Sequence, residues 1–421
     1  MRKRAVAEDG ARPRISVIVP FAGTRDEADA LIAALHRIEL LPGDELIVVD
    51  NSGEGIVPEA DGVTVVPASA QASAYYARNE GAAGAAGEWL FFTDSDCRPY
   101  ADVLDQFFAG GPVDDTVGAL VGEIEGVADQ TALVSRYARS RGHLRQEGHW
   151  LYPYRPWGVT ANLLVRRSAW ESVGGFLEGI RSGGDTEFSW RLQDAGWELG
   201  YRPTAIVEHL HRDSVRRLAR QAARYAAGRA WVMRRYPGSF ERPRLLRRLG
   251  RCAVGVFVWA VTGRFERAAF KALDGVYVIS ESSAFFLSNT PPPAVADRPA
   301  RVALLAGAFP AADAPAEART AGADAVVEAA RRPVRVDRTA SRSLRVAYGE
   351  DDGILRRLGA VAWLVRRSPR AAAANLPVLF RLAAPAQRLA AAGVETVHAI
   401  HPERADDAAA LARLLSIGKA D

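Results

Sequence analysis

The sequence predicts an α/β protein whose mainly parallel, mixed sheet is flanked by helices. Three observations carry this reading. Short apolar runs at residues 15–20, 45–50, 63–66 and 89–93 are rich in Val, Ile, Leu and Phe, as buried strands are. Segments with helical spacing separate them, and strands alternating with helices form a parallel sheet. The chain has 421 residues, 48% hydrophobic and 25% charged, the balance of an ordinary globular protein of two or three domains.

The elements follow in order. Ser16-Val17-Ile18-Val19-Pro20 is a strand ended by proline, and residues 26–38 place Ala30, Leu31, Ala34 and Leu35 at helical spacing. Residues 45–50 form a strand that closes on Asp50 and the turn Asn51-Ser52-Gly53, and residues 63–66 form a third. Residues 73–87 are an Ala-rich helix carrying Arg78, and residues 89–93 form a fourth strand that runs into Asp94. Asp50 and Asp94 therefore both stand at carboxyl ends of strands, the edge where open α/β sheets bind ligands. Beyond them, residues 117–126, 158–166 and 205–209 read as strands, and residues 183–195 as a helix. Residues 214–235 form an amphipathic helix, with Leu218, Ala222 and Tyr225 on one face and Arg216, Arg220 and Arg224 on another. Thr290-Pro291-Pro292-Pro293 reads as a stiff linker, after which a second α/β pattern has strands near 301–305, 325–327, 334–336 and 396–399.

Net charge is only +4, yet residues 211–251 hold 13 Arg against Asp213 and Glu241. Such a patch suits phosphates or an acidic membrane, and a solvated helix face is the plainer alternative. No nucleic-acid-binding module accompanies it, so nucleic acid is not an expected partner. Cys97 and Cys252 make neither a disulfide framework nor a zinc cluster, in keeping with a reducing cytoplasm. Residues 1–14 lack the apolar stretch of a signal peptide. The apolar run at 252–261 has ten residues where a membrane span needs roughly 20. The expected location is cytoplasmic, with peripheral contact at the inner face of the membrane through 211–251.

Thr93-Asp94-Ser95-Asp96 places two carboxylates on one tight turn at a strand end. Hard carboxylate oxygens bind a divalent cation and leave positions open for phosphate oxygens. One of the pair would touch the ion, while the other binds ribose or orients its neighbour. Surface turns are full of aspartate, so the turn has weight only through its place after Trp89-Leu90-Phe91-Phe92 in the α/β series.

Five stretches occur in one order: Ser16-Val17-Ile18-Val19-Pro20, Leu46-Ile47-Val48-Val49-Asp50-Asn51-Ser52, Ala77-Arg78-Asn79-Glu80-Gly81-Ala82, Phe92-Thr93-Asp94-Ser95-Asp96-Cys97 and Gly184-Asp185-Thr186-Glu187-Phe188-Ser189-Trp190-Arg191-Leu192. In motif, order and spacing, residues 15–240 resemble a family-2 glycosyltransferase of the GT-A fold, the nucleotide-diphospho-sugar transferase fold. The resemblance implies an inverting enzyme that moves a sugar from a nucleoside-diphosphate donor to a hydroxyl on a saccharide or lipid-linked saccharide. Family habit makes the donor a UDP-sugar and the cofactor Mn²⁺ or Mg²⁺. Pro20, Phe21 and Ala22 would line the base, and Asp50 would bind base or ribose. Arg78 would contact nucleotide or diphosphate. By the same resemblance Asp96 would be the metal ligand, with Asp94 toward the nucleoside. His209 or His211 would be a further ligand. Asp185 would be the general base. Its family neighbour is often Glu, and here Gly184 stands there, which leaves any acceptor contact of that acid without a residue. Glu187 is a weaker candidate base or acceptor contact, and Trp157 and Asn162 are candidate acceptor-pocket residues.

These assignments divide the chain into a tail (1–14), a GT-A domain (15–240), a helical connector and linker (241–297) and a Rossmann-like α/β module (298–421). Within the GT-A domain, 15–110 is the nucleotide half and 111–240 the acceptor half. The last module faintly resembles the N-terminal half of a GT-B glycosyltransferase, without the second half that would bind a donor, and is read as non-catalytic. Two alternatives stand beside the main reading. One is a sugar nucleotidyltransferase, hinted at by Gly23-Thr24-Arg25 after the first strand. The other is a GT-A scaffold without catalysis.

Overall fold

The computed structural model describes residues 12–241 and 244–284, Leu287 and Asn289, and the strands and helices within 302–417. The chain forms two compact units. One comprises Met1–Ala68, Ala77–Val173 and Asp185–His211, and the other comprises Ser69–Tyr76, Gly174–Gly184 and Arg212–Asp421. The basic helix expected at 214–235 thus groups with the second unit, whereas the motifs ran the first domain on to residue 240.

The first unit is built on an eight-stranded sheet. Its strands are β1 (Ile15–Phe21), β2 (Glu45–Asp50), β3 (Val63–Pro67), β4 (Trp89–Thr93), β5 (Cys97–Pro99), β6 (Val117–Gly126), β7 (Asn162–Arg166) and β8 (Glu198–His209). Between them run α1 (Arg25–Leu35), α2 (Ala74–Gly84), α3 (Val103–Gln106), α4 (Leu133–Ser140), α5 (Gln146–Trp150), α6 (Arg167–Val173) and α7 (Gly184–Asp194). The strand order is β3-β2-β1-β4-β7-β6-β8-β5. β3, β2, β1 and β4 are mutually parallel. β7 runs antiparallel to both β4 and β6. This is the mixed α/β sheet of a GT-A fold, as expected.

Every residue of β1 and β4 is buried. Strands covered by helices on both faces must be apolar throughout, and that is why these runs were legible as strands. The glycine in Asn79-Glu80-Gly81 has a packing role. A Cβ there would lie 2.7 Å from Cγ2 of both Ile18 and Val49, so α2 approaches β1 and β2 as closely as backbone allows. That close approach seats Arg78, one turn earlier, in the interior.

Gly23-Thr24-Arg25 is accounted for by a helix start. Thr24 caps α1, its backbone N–H donating to Glu27 Oε2 at 2.8 Å while its hydroxyl accepts from the Glu27 N–H. The strand expected over 158–166 begins only at Asn162. The Val159 N–H donates to the Gln146 side chain at 2.8 Å and the Gly158 N–H to Ser189 Oγ, which withdraws both from the ladder.

The second unit contains α8 (Val215–Arg235), α9 (Leu245–Val261) and α10 (Phe265–Ala284), with α10 packing against both others. It also contains a parallel sheet of β9 (Val302–Ala308), β10 (Ala325–Arg331), β11 (Arg345–Tyr348) and β12 (Thr396–Ala399), ordered β11-β10-β9-β12. Helices α11 (Ile354–Arg367), α12 (Pro369–Ala374), α13 (Leu376–Ala391) and α14 (Ala405–Ile417) accompany it, and Leu305, Leu382, Leu389 and Leu411 are part of its core. The strand expected at 334–336 and the linker at 290–293 lie outside the described residues.

Candidate active site

Parallel strands place their carboxyl ends along one edge. Phe21 pairs with Asp50 across β1 and β2, and β4 beside β1 delivers Asp94 to the same edge. Pro20 and Phe21 are buried, whereas Ala22, just past the strand, is exposed.

Asp50 is buried, and both its oxygens are engaged by its own loop. Oδ1 accepts from the Ser52 N–H at 2.9 Å and from the Ser52 hydroxyl, and Oδ2 accepts from the Val57 N–H at 3.1 Å. Burial pushes its pKa up, but the hydrogen bonds from Ser52, Val57 and Ile56 outweigh it and hold the carboxyl below its ordinary value. Asp50 therefore stays charged and fixes the shape of the 51–57 loop.

Arg78 is 4% exposed and donates from its Nη2 to Asp94 Oδ1. This pair holds the Asp94 end of the turn. At the other end, the Cys97 N–H closes the turn on the Asp94 carbonyl at 3.0 Å, and the Leu210 N–H donates to the Asp96 carbonyl at 2.9 Å. β5 is only three residues long, yet it pairs Cys97 with His209 of β8. Asp96 Oδ1 and His209 Nε2 come within 3.4 Å. His209 is 3% exposed, and its Nδ1 has no hydrogen-bond partner among the described residues.

The ligand atoms of Asp96, Cys97 and His209 lie within 4.8 Å of one another, close enough to reach one ion. A carboxylate oxygen beside an imidazole nitrogen suits a divalent transition metal. The donor set thus fits the expected cofactor. Burial, with the charges of Asp94 and Asp96, raises the Cys97 pKa well above its ordinary value, so the thiol is neutral. His211 stands against His209, ring centroids 5.6 Å apart, and its backbone is pinned to the Gln130 side chain. It fits only because Gly126 has no side chain, since a Cβ there would lie 2.4 Å from His211 Nε2.

Asp185 is half-buried in the first turn of α7. Three other expected residues are buried. Trp157 is 7% exposed, stacked on His149 at 4.8 Å and edge-on to Tyr152 and Trp190. Asn162 is fully buried, and its amide donates to the carbonyls of Glu123 and Ala205 at 2.7 and 2.8 Å, stitching β7 to β6 and β8. Glu187 is fully buried and bidentate to Arg191, at 2.9 and 3.0 Å. The Arg191 guanidinium also donates to the Val173 carbonyl. Glu187 is thereby held in a buried pair with Arg191. Its i,i+4 spacing from Arg191 was the sequence signal for that. Removing one partner of a buried pair strands the other, so Glu187→Ala should lower unfolding free energy by about 3–5 kcal/mol. Denaturant titration would measure it, and a loss below about 1 kcal/mol would show that Arg191 finds another partner.

Sequence reasoning missed Cys97 and the clamp of Glu123, Gln146 and Tyr201. Glu123 accepts from the Gln146 N–H at 2.9 Å and from the Tyr201 hydroxyl at 2.5 Å, and Gln146 donates to the carbonyl of Asn162 at 3.0 Å. Cys97 closes one of the quoted stretches, but as a thiol beside two aspartates it was not read as a ligand; Glu123, Gln146 and Tyr201 lie in no motif, because each acts through a partner far along the chain.

Residues 16–174 match the profile of Glycosyl transferase family 2, and residues 134–288 that of Glycosyl transferase family group 2. The chain carries a family 2 glycosyltransferase domain. The domain is 27% identical over 230 residues to a pre-mycofactocin glycosyltransferase of Mycobacterium tuberculosis, covering 53% of this chain and 48% of that one. It is 28% identical over 211 residues to glycosyltransferase AglE of Haloferax volcanii, covering 47% and 67%. It is also similar to a probable glycosyltransferase, YdaM, of Bacillus subtilis, at 25% over 245 residues, covering 54% and 58%. The chain thus spans about half the length of the Mycobacterium relative. Among solved structures, the mannosyltransferase PcManGT of Pyrobaculum calidifontis, in complex with GDP-Man and Mn²⁺, aligns at 16% identity with a TM-score of 0.43, over 65% of this chain and 89% of that one.

Proposed function

We propose that this chain transfers a sugar, with inversion, from a nucleoside-diphosphate donor to a hydroxyl acceptor. The observation that carries the reading is the approach of His209 Nε2 to Asp96 Oδ1, 3.4 Å, beside the Arg78–Asp94 pair. Asp96 and His209 would hold a divalent ion, with His211 the alternative imidazole. The ion, when bound, would neutralise the departing diphosphate.

The remaining chemistry belongs to the chain's own residues. Pro20, Phe21, Ala22 and Asp50 line the nucleoside side, and Arg78 keeps Asp94 oriented toward it. Asp185 accepts the proton of the acceptor hydroxyl as that oxygen attacks the anomeric carbon. The bond from carbon to diphosphate oxygen breaks as the new one forms, the diphosphate takes the electron pair, and the anomeric centre inverts. UDP is the default nucleotide. Mn²⁺ is favoured over Mg²⁺ by the imidazole donor, since Mg²⁺ prefers oxygen. The basic 211–251 segment would meet an acidic membrane, which suits a lipid-linked acceptor, and residues 298–421 would serve as a docking or acceptor-binding module.

A screen of UDP-, GDP- and dTDP-sugars by thermal shift, with and without Mn²⁺, tests the reading. A bound donor at a hundred times its Kd adds about 2.7 kcal/mol of stability, an easily read shift. One nucleotide class should shift the melt only when metal is present, and sugar should then pass to an acceptor. Pyrophosphate release from a sugar phosphate and NTP would instead establish a nucleotidyltransferase. Donor binding with no transfer or hydrolysis would leave a scaffold.

A further inference from the structure

α9 is a 17-residue helix with no buried residue. Its apolar side chains point outward. Leu246, Val254, Phe257 and Val261 are 84%, 64%, 68% and 66% exposed, and Phe265 just beyond is 72% exposed. Spacings of eight, eleven and fifteen residues from Leu246 put all four on one face of the helix. Seven of the nineteen exposed large apolar residues among the described part of the chain fall between Leu245 and Phe265. A contiguous apolar face of this kind marks an interaction surface.

The charges around it name the partner. Arg244, Arg247 and Arg251 are exposed at the amino end, and the helix contains no acidic residue. Arg248 is different, because it pairs with the buried Glu281 at 2.5 Å, and Arg229 pairs with that same carboxylate. At the carboxyl end, the guanidiniums of Arg264 and Arg267 lie 5.2 and 5.0 Å from the Trp259 ring. Five arginines thus flank the apolar stripe, against Glu266 as the one exposed acid from 244 to 267. A two-fold pairing of two copies through this face would set arginines against arginines, whereas an anionic surface satisfies both ends at once. No described helix is long and apolar enough to cross a membrane.

We propose that α9 lies in the plane of an anionic lipid surface. Val254, Phe257, Val261 and Phe265 enter the acyl boundary, and Arg244, Arg247, Arg251, Arg264 and Arg267 meet lipid phosphates. The proposal centres the membrane contact proposed above for residues 211–251 on α9 and its basic flanks, and it rests on that contact, not on the glycosyl transfer. It matches the physics of interfacial helices, which combine a bulky apolar face with a basic flank.

Flotation of the full chain with phosphatidylcholine vesicles, with and without phosphatidylglycerol, tests it. The chain should bind the anionic vesicles at least roughly tenfold better than the neutral ones, and added salt should weaken this. The double variant Phe257→Ser with Val261→Ser should lose roughly tenfold of that binding with an unchanged melting temperature, because both side chains are exposed. Arg247→Gln and Arg251→Gln should each lose about fivefold. Equal binding to both vesicle types, or none, would overturn the proposal. So would a dimer in light scattering that the Phe257/Val261 variant dissociates. The donor-dependent thermal shift is read without lipid, so failure here leaves the glycosyltransferase reading standing.

Discussion

Asp185→Asn should reduce sugar transfer by about a thousandfold while leaving donor affinity nearly unchanged. The asparagine has the same shape and can still accept hydrogen bonds at the start of α7, so the first turn keeps its form. What it cannot do is take a proton. General-base contributions of about 10²–10⁴ in rate set the size of the loss. Equal decreases in kcat and kcat/KM, with calorimetric donor binding intact, would place the loss in the chemical step. A variant that kept a tenth of wild-type turnover would remove Asp185 as the base. Other proton acceptors along the same edge of the sheet would then be the candidates, Glu187 being held in its pair with Arg191.

The second large effect is expected at the proposed metal pair, Asp96 and His209. Asp96→Ala should abolish the metal dependence of donor binding and lower transfer by roughly a hundredfold or more. His209→Ala should do the same in the same assay, because its imidazole faces the same carboxylate. Both variants need a melting curve alongside, since His209 is buried in the β5–β8 ladder. Direct titration with Mn²⁺ followed by paramagnetic broadening reads the site without turnover. Metal affinity unchanged in either variant would assign that residue to structure only.

How much of this was legible in the sequence follows from what each element depends on. β1, β2 and β4 were readable because strands buried on both faces carry near-continuous apolar runs. β8 starts at Glu198, seven residues before the expected position, because its first half is partly exposed and lacks an apolar pattern. β5 is too short to have any period at all. The site divides in the same way. Asp50, Arg78, Asp94, Asp96 and Asp185 stood out by family order, whereas the fates of Trp157 and Asn162 depend on contacts with Tyr152, Trp190, Glu123 and Ala205, which no local pattern reveals.

The three-residue pairing of β5 with β8 has a consequence for how the molecule assembles. Asp96 and His209 are more than a hundred residues apart in the chain, while β1, β2, β3 and β4 follow one another closely. Contacts between distant segments bear a larger loop-closure entropy and tend to form late. On that ground the edge carrying Asp50 is expected to form before the Asp96–His209 pair, which needs β8 docked in the sheet. Affinity for the proposed ion would thus gauge completed folding: a half-assembled chain would have the Asp50 edge but no Asp96–His209 pair to hold the ion.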